Sequence, residues 1–214
     1  MTIRNIISDI RNALKEYSRT NQYTDSFLWA EFTKKRSIYF SRKLKKFEYI
    51  NPANYQTFCF PLIDSNLNEC NLTLDISCYV KRTVSKLPSV ITGRNAIAMK
   101  VMNVFNTNIS KTEVNELDTN QYNDIKKNTT KWFIQNRYVY ICNNEQIELV
   151  KIEALWDDIK DLDSNVTQCS TYLDVDFNID LESLDIIISL VLEKLLSLKN
   201  VVEDNNNDSN SEIR

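Results

Sequence analysis

Two blocks of charge hold most of the chemistry this sequence offers. Between Glu31 and Glu48 stand Lys34, Lys35, Arg36, Arg42, Lys43, Lys45 and Lys46 with no acid among them, while Asp157, Asp158, Asp161 and Asp163 crowd behind Trp156. A cationic run of this density suits DNA or an acidic protein surface. It equally suits a solvated helix face whose long stems cover apolar surface, and the residues alone leave both readings open. A further set of oxygen-bearing side chains, Asp174, Asp176 and Asn178, has the spacing of a calcium loop, but Ile179 stands where such a loop needs glycine for its sharp turn.

Other chemistry is excluded by residue type. The chain has no histidine, so no Ser/His/Asp or Cys/His unit and no imidazole metal site is available. Its one glycine, Gly93, rules out a phosphate-cradling loop and a dinucleotide fingerprint, each of which needs several positions without a Cβ. The five cysteines include no CxxC pair; an odd number suggests a reducing compartment, and Cys59, Cys78 and Cys142 lie in apolar or alternating stretches as small buried hydrophobes would. Carboxylates are plentiful, yet no two are singled out by context as an acid and base pair for glycoside chemistry. The expectation is a non-enzyme with no catalytic, cofactor-binding or metal-ligating residue and no cofactor.

Arg4, Asp9 and Arg11 interrupt any signal-peptide core, and the longest apolar run, Ile186 to Leu192, is far short of about 20 residues, so no membrane partner and no export are expected. The 26 asparagines and 22 isoleucines fit the codon usage of an AT-rich genome. Net charge is only −3, but it is graded along the chain: +6 over residues 1–50, +1 over 51–150 and −10 over 151–214. Such polarity favours attraction between opposite ends of neighbouring subunits.

The elements that must position these charges follow from periodicity. Ile3, Ile7, Ile10, Leu14 and Tyr17 make one apolar helical face with Thr2 as cap, and Thr24-Asp25 caps a second helix with Trp29, Arg36, Phe40, Leu44 and Phe47 near one face. Beyond Asn51-Pro52 the period changes to alternation, giving strands over Gln56–Phe60, Leu72–Val80, Ala96–Phe105, Lys131–Cys142 and Gln146–Leu155, the last two joined as a hairpin at Asn143-Asn144. The polar stretch from Thr107 to Lys131 is long for a simple loop and is read as a contact loop or a plain surface loop. Asp157 to Asp163 mark a linker, Leu173 to Ile179 a strand with apolar residues inward and acids outward, and Asp180 the cap of a final helix. That helix carries Leu181, Leu184, Ile188, Val191, Leu195 and Leu198 at spacings of 3 and 4, a stripe wide enough to be core or an interface. The fold class expected is α+β: a basic helical hairpin (1–50), a β-rich domain with antiparallel hairpins (51–160), an acidic strand and C-terminal amphipathic helix (161–202), and a disordered acidic tail (203–214).

The order of short phrases is itself informative. Tyr17-Ser18, then Asp25 and aromatics leading into the basic helix ending near Lys46, then Cys59-Phe60-Pro61-Leu62, Ser85-Lys86-Leu87-Pro88, Trp132-Phe133-Ile134, Tyr138-Val139-Tyr140-Ile141 and Ile152-Glu153-Ala154-Leu155-Trp156-Asp157-Asp158 resemble the ring proteins at the head-to-tail connector of crAss-like phages of gut Bacteroidales. The resemblance covers roughly residues 10–160 and not the C-terminal helix. It implies a virion component made in the bacterial host cytoplasm, forming a homo-oligomeric ring below the portal, with the portal protein and other connector ring or tail proteins as partners and packaged DNA passing through the centre. On that footing the basic residues 34–46 are expected to face an acidic segment of an adjacent subunit or ring, with Asp157, Asp158, Asp161 and Asp163 as acidic candidates, or the DNA itself. A nucleic-acid-binding phage regulator using the same basic helix is the alternative, and the sequence pI of about 5.2 weighs against it.

Overall fold

The computed structural model describes residues 1–17, 23–65, 79–93, 99–113, 116, 129–159 and 172–207. The chain divides into two compact units, a helical one from Met1–Asn54, Ile91–Ala96 and Asp157–Arg214, and a sheet unit from Tyr55–Val90 and Ile97–Trp156. The class is α+β, as the change of hydrophobic period implies.

In the helical unit, α1 (Ile3–Tyr17), α2 (Asp25–Lys45) and α3 (Leu181–Asn207) pack on one another. Ile3, Ile6, Ile7, Ile10 and Leu14 of α1 are buried, so the stripe read from the sequence is the core-facing side. The Thr2 hydroxyl accepts from Asn5 N–H at 3.3 Å and the Thr24 hydroxyl from Phe27 N–H at 3.3 Å, both helix starts being capped as their residue types suggest. Leu28, Trp29, Phe32 and Phe40 of α2 are buried, and the Phe177 ring stands edge-on to Trp29 at 5.1 Å and to Phe32 at 6.1 Å between centroids. The start of α3 is fixed reciprocally, for Asp180 accepts from Ser183 N–H at 3.0 Å while its own N–H donates to Asn54 Oδ1 at 3.1 Å. Burial pulls the Asp180 carboxyl upward, but the hydrogen bonds from Ser183 and Asn54 outweigh it and hold the group below the usual aspartate range.

Several expectations are corrected here. Leu173 to Ile179 is not a strand: Tyr172–Asp174 form a 3-10 turn, and the following extended residues meet the N-terminus, with Ile3 N–H bonded to Val175 O at 3.2 Å and Phe177 N–H to Met1 O at 2.7 Å. The buried line of α3 runs through Leu184, Ile187, Val191 and Leu195, so Ile188 is only half-buried and Leu181, at the first turn, is 72% exposed. Helix α3 continues to Asn207, past Glu203 where the tail was expected to begin; residues 208–214 and the Leu198 side chain lie outside the described residues.

The sheet unit holds β1 (Gln56–Asp64), β2 (Val80–Thr83), β3 (Met99–Met102), β4 (Ser110–Lys111), β5 (Lys131–Gln135), β6 (Tyr138–Cys142) and β7 (Leu149–Ala154) in the order β3-β7-β1-β2-β6-β5-β4. Every pairing is antiparallel except β4 with β5. Strand β1 runs past the expected end at Phe60 because Pro61 sits at its change of partner, from β7 over Gln56–Pro61 to β2 over Leu62–Asp64. The single strand expected over 131–142 is a hairpin. Asn136 and Arg137 both take left-handed φ, 50° and 67°, which is what a two-residue hairpin turn requires, whereas the strands on either side of Asn143-Asn144 do not pair with each other. Alternation along β1 turns Phe58 and Phe60 toward Trp156 and leaves Cys59 exposed, correcting its expected burial; Cys142 is buried as read. Cys70, Cys78 and Cys169, the expected strand residues 72–78 and 96–98, and most of the loop over 107–131 lie outside the described residues.

Candidate assembly surfaces of the helical unit

Helix α2 distributes its bases by period. At about 100° per residue, Lys34, Lys35, Arg42 and Lys45 share one side, and Arg36 points some 200° from Lys34, toward the core. Burial agrees: Lys34, Arg42, Lys45 and Lys46 are exposed and Lys35 and Lys43 intermediate, but Arg36 is 2% exposed. Its guanidinium carbon lies 4.7 Å from the centre of the Phe177 ring and 5.3 Å from that of Phe40.

Arg36 and the aspartates are brought together within one chain. Desolvation lowers the Arg36 pKa to about 10, with Asp157 and Asp158 acting the other way. Ser37 Oγ donates to Asp157, and Trp29 Nε1 donates to Asp158 Oδ1 at 3.3 Å. The expected linker after Trp156 therefore begins as a seam along α2, and Arg36, named as a surface base, is an interior side chain. The sequence placed Arg36 among surface lysines because it lies in the same run, although its spacing from Trp29 and Phe40 marked the inner face. Asp161 and Asp163 lie outside the described residues.

The C-terminal end of α2 is held by a short strap. Ser41 Oγ donates to Thr92 O at 3.0 Å, and a Cβ added at Gly93 would stand 2.9 Å from Leu44 Cβ and 3.3 Å from its carbonyl carbon. Phe47 N–H bonds to Leu44 O at 3.3 Å and Glu48 N–H to Lys43 O at 3.0 Å, a terminating turn in which Phe47 takes φ 57°. Phe47 lies beyond the helix, 87% exposed, rather than on its inner face, and Tyr49 is 77% exposed. Lys43 is 4.9 Å from the Tyr39 ring centre; a hydrogen bond to Tyr39, helped by Glu182 and Glu48, raises its pKa.

On the other side of the unit, a groove of about 300 Å³ is lined by Arg4, Arg11, Lys15, Asp25 and Leu173 among others. Its arginines are already engaged, Arg4 with Asp174 at 2.9 Å and Arg11 with Asp25. In the sheet unit the turn after β3 exposes Val104 and Phe105, at 43% and 84%. Among the described residues no cluster of three or more His, Cys, Asp or Glu could hold a metal ion, and no helix is long and apolar enough to cross a membrane.

These surfaces have the character of contacts between proteins: exposed aromatics beside an excess of exposed bases on a helical unit. A family model described as phage tail ring protein 2 matches residues 5–213. The chain belongs to that family, the ring proteins of crAss-like phages. It is a structural component of the virion that assembles with other phage tail proteins. No curated protein matches the chain. The match takes in the C-terminal helix, which the phrases quoted above did not.

Proposed function

We propose that this ring protein forms an axial homo-oligomeric ring of the head-to-tail connector, below the portal, with the genome passing through its centre and no catalytic role of its own. The family match over 5–213 carries the reading, since a ring component must present surfaces to its own copies and to the rings above and below. Surface chemistry supports it. Lys34, Lys35, Arg42, Lys43, Lys45 and Lys46 offer a basic face, while Leu181 and Ile186, 72% and 38% exposed, lie among Glu182, Asp185 and Glu193 on α3 and offer an acidic, partly apolar one. Apolar burial at such contacts supplies most of the affinity and charge sets register and association rate.

The test is cryo-electron microscopy of the neck of purified particles. Density for this fold in a closed ring on the axis between portal and tail supports the reading, and density for it elsewhere in the particle refutes the connector placement. The same map distinguishes the two uses of the basic face. Lysines turned to the channel make it a DNA-facing wall, and the isolated protein then binds random DNA with strong salt dependence.

A further inference from the structure

We infer that Phe47 and the basic end of α2 receive the acidic C-terminal end of α3 from a second copy of this chain, joining subunits head to tail. The inference rests on the ring reading above and names the contact that would build the ring.

Phe47 is doubly out of place as an intramolecular residue. A bulky side chain in left-handed backbone is strained, and this one is 87% exposed, so no packing within the unit offsets the strain. The chain has a ready alternative: of the four other non-glycine residues with positive φ among the described residues, three are asparagine. Next to Phe47 in the chain are Arg42, Lys45 and Lys46, all exposed, with Tyr49; of the acids at this end, Glu48 pairs with Lys46 at 3.6 Å and Glu182 acts on Lys43, leaving Arg42 and Lys45 as the surplus of base. An aromatic anchor ringed by bases fits an apolar helix end that carries acids.

The same unit supplies one at its far end. Lys194 bonds Glu31, and Glu182 acts on Lys43, so α2 and α3 run antiparallel in one constant register. Continuing that register sets Asn200 level with Asp25, the first residue of α2. Val201 to Asn207 then extend about 10 Å beyond it as helix. From Val201 the sequence reads Val-Val-Glu-Asp and carries Glu203, Asp204, Asp208 and Glu212 against Arg214. Some 25 residues of helix, roughly 35–40 Å, separate this segment from Phe47 of the same chain, so it cannot fold back onto it. A neighbouring copy can present it, and a contact between opposite ends is heterologous, closing into a ring if the rotation closes.

The test uses the full chain with Cys59→Ser throughout, carrying Glu48→Cys, Asn205→Cys or both, which leaves Phe47, the bases, Glu203 and Asp204 in place, under mild oxidation. The double variant is expected to give a ladder of disulfide-linked multimers, and a mixture of the two single variants a heterodimer that stops at two chains. Phe47→Asn, with backbone better suited to φ 57°, is expected to keep or raise the melting temperature while self-association by sedimentation weakens at least about tenfold. Salt should weaken association likewise. No ladder from the double variant, or a ladder equal to that of either single variant, overturns the contact. So does association untouched by Phe47→Asn, or a falling melting temperature, which would make Phe47 a packing residue. Closed rings of unlinked, fully associating variants would sink this contact and leave the ring reading standing; absence of the protein from particles would sink the ring reading instead.

Discussion

Gly93→Ala should destabilise the helical unit, and the sign of the change is the informative part. Gly93 has no positive φ, so alanine fits its backbone, and in open space the exchange would stabilise by roughly 0.4–1 kcal/mol through lower unfolded-state entropy. The space is not open. The new methyl would stand 2.9 Å from Leu44 Cβ and 3.3 Å from the Leu44 carbonyl carbon, and the second of these belongs to helix backbone that cannot rotate away. Overpacking of this kind costs about 1–3 kcal/mol. The net expectation is a loss of roughly 1–2 kcal/mol, or a fall of about 2–8 °C in melting temperature for a chain of this length. Urea unfolding followed by circular dichroism measures it, with the slope unchanged from wild type. The strap also fixes the end of α2 that carries Lys45, Lys46 and Phe47, so the variant should lose assembly as well. Equal or higher stability would refute the close approach and with it the strap's role.

Other outcomes follow from the same geometry. Asp180→Ala should cost about 1 kcal/mol at neutral pH through loss of the α3 cap. Because the Asp180 carboxyl is held below its unfolded value, its stabilisation is present above that value and is lost as pH falls through the lower folded one; the gap in urea midpoint between wild type and variant should therefore close in acid. Burial lowers the Arg36 pKa to about 10, so the folded chain releases that proton before the unfolded chain does, and wild-type stability should rise relative to Arg36→Met as pH climbs from 10 toward the ordinary arginine value. A pH-independent difference between the two would contradict the burial of a charged guanidinium. Reversing charge at Arg42, Lys45 and Lys46 should weaken assembly at physiological salt with little effect on folding, as sedimentation at two salt concentrations would reveal.

Much of the fold was legible in the sequence because period and caps act locally. The stripe from Ile3 to Leu14, the caps Thr2, Thr24 and Asp180, and the turn from helical to alternating period at Asn51-Pro52 each follow from a neighbour three or four residues away. What escaped depends on partners distant in sequence. Residues 131–142 hold two apolar runs, Trp132–Ile134 and Tyr138–Cys142, and the polar break Gln135-Asn136-Arg137 between them is short and lacks glycine, so the left-handed pair Asn136-Arg137 is weakly marked as a turn. Leu173 to Ile179 alternate like a strand but have only the N-terminus to pair with. At the candidate surface the basic run was visible, whereas the inward turn of Arg36 toward Phe177 and Asp157 depends on a segment some 120 residues further on. Phe47 reads as sharing the α2 face of Trp29 and Phe40, since hydrophobicity cannot tell a helix's last residue on that face from the first residue beyond the helix.

The ring assignment is tested most directly by quantitative mass spectrometry of gradient-purified particles, comparing copies of this chain with copies of the portal protein. An axial ring predicts a ratio of one or a small whole multiple; absence from the particles, or a ratio that varies between preparations, would contradict it.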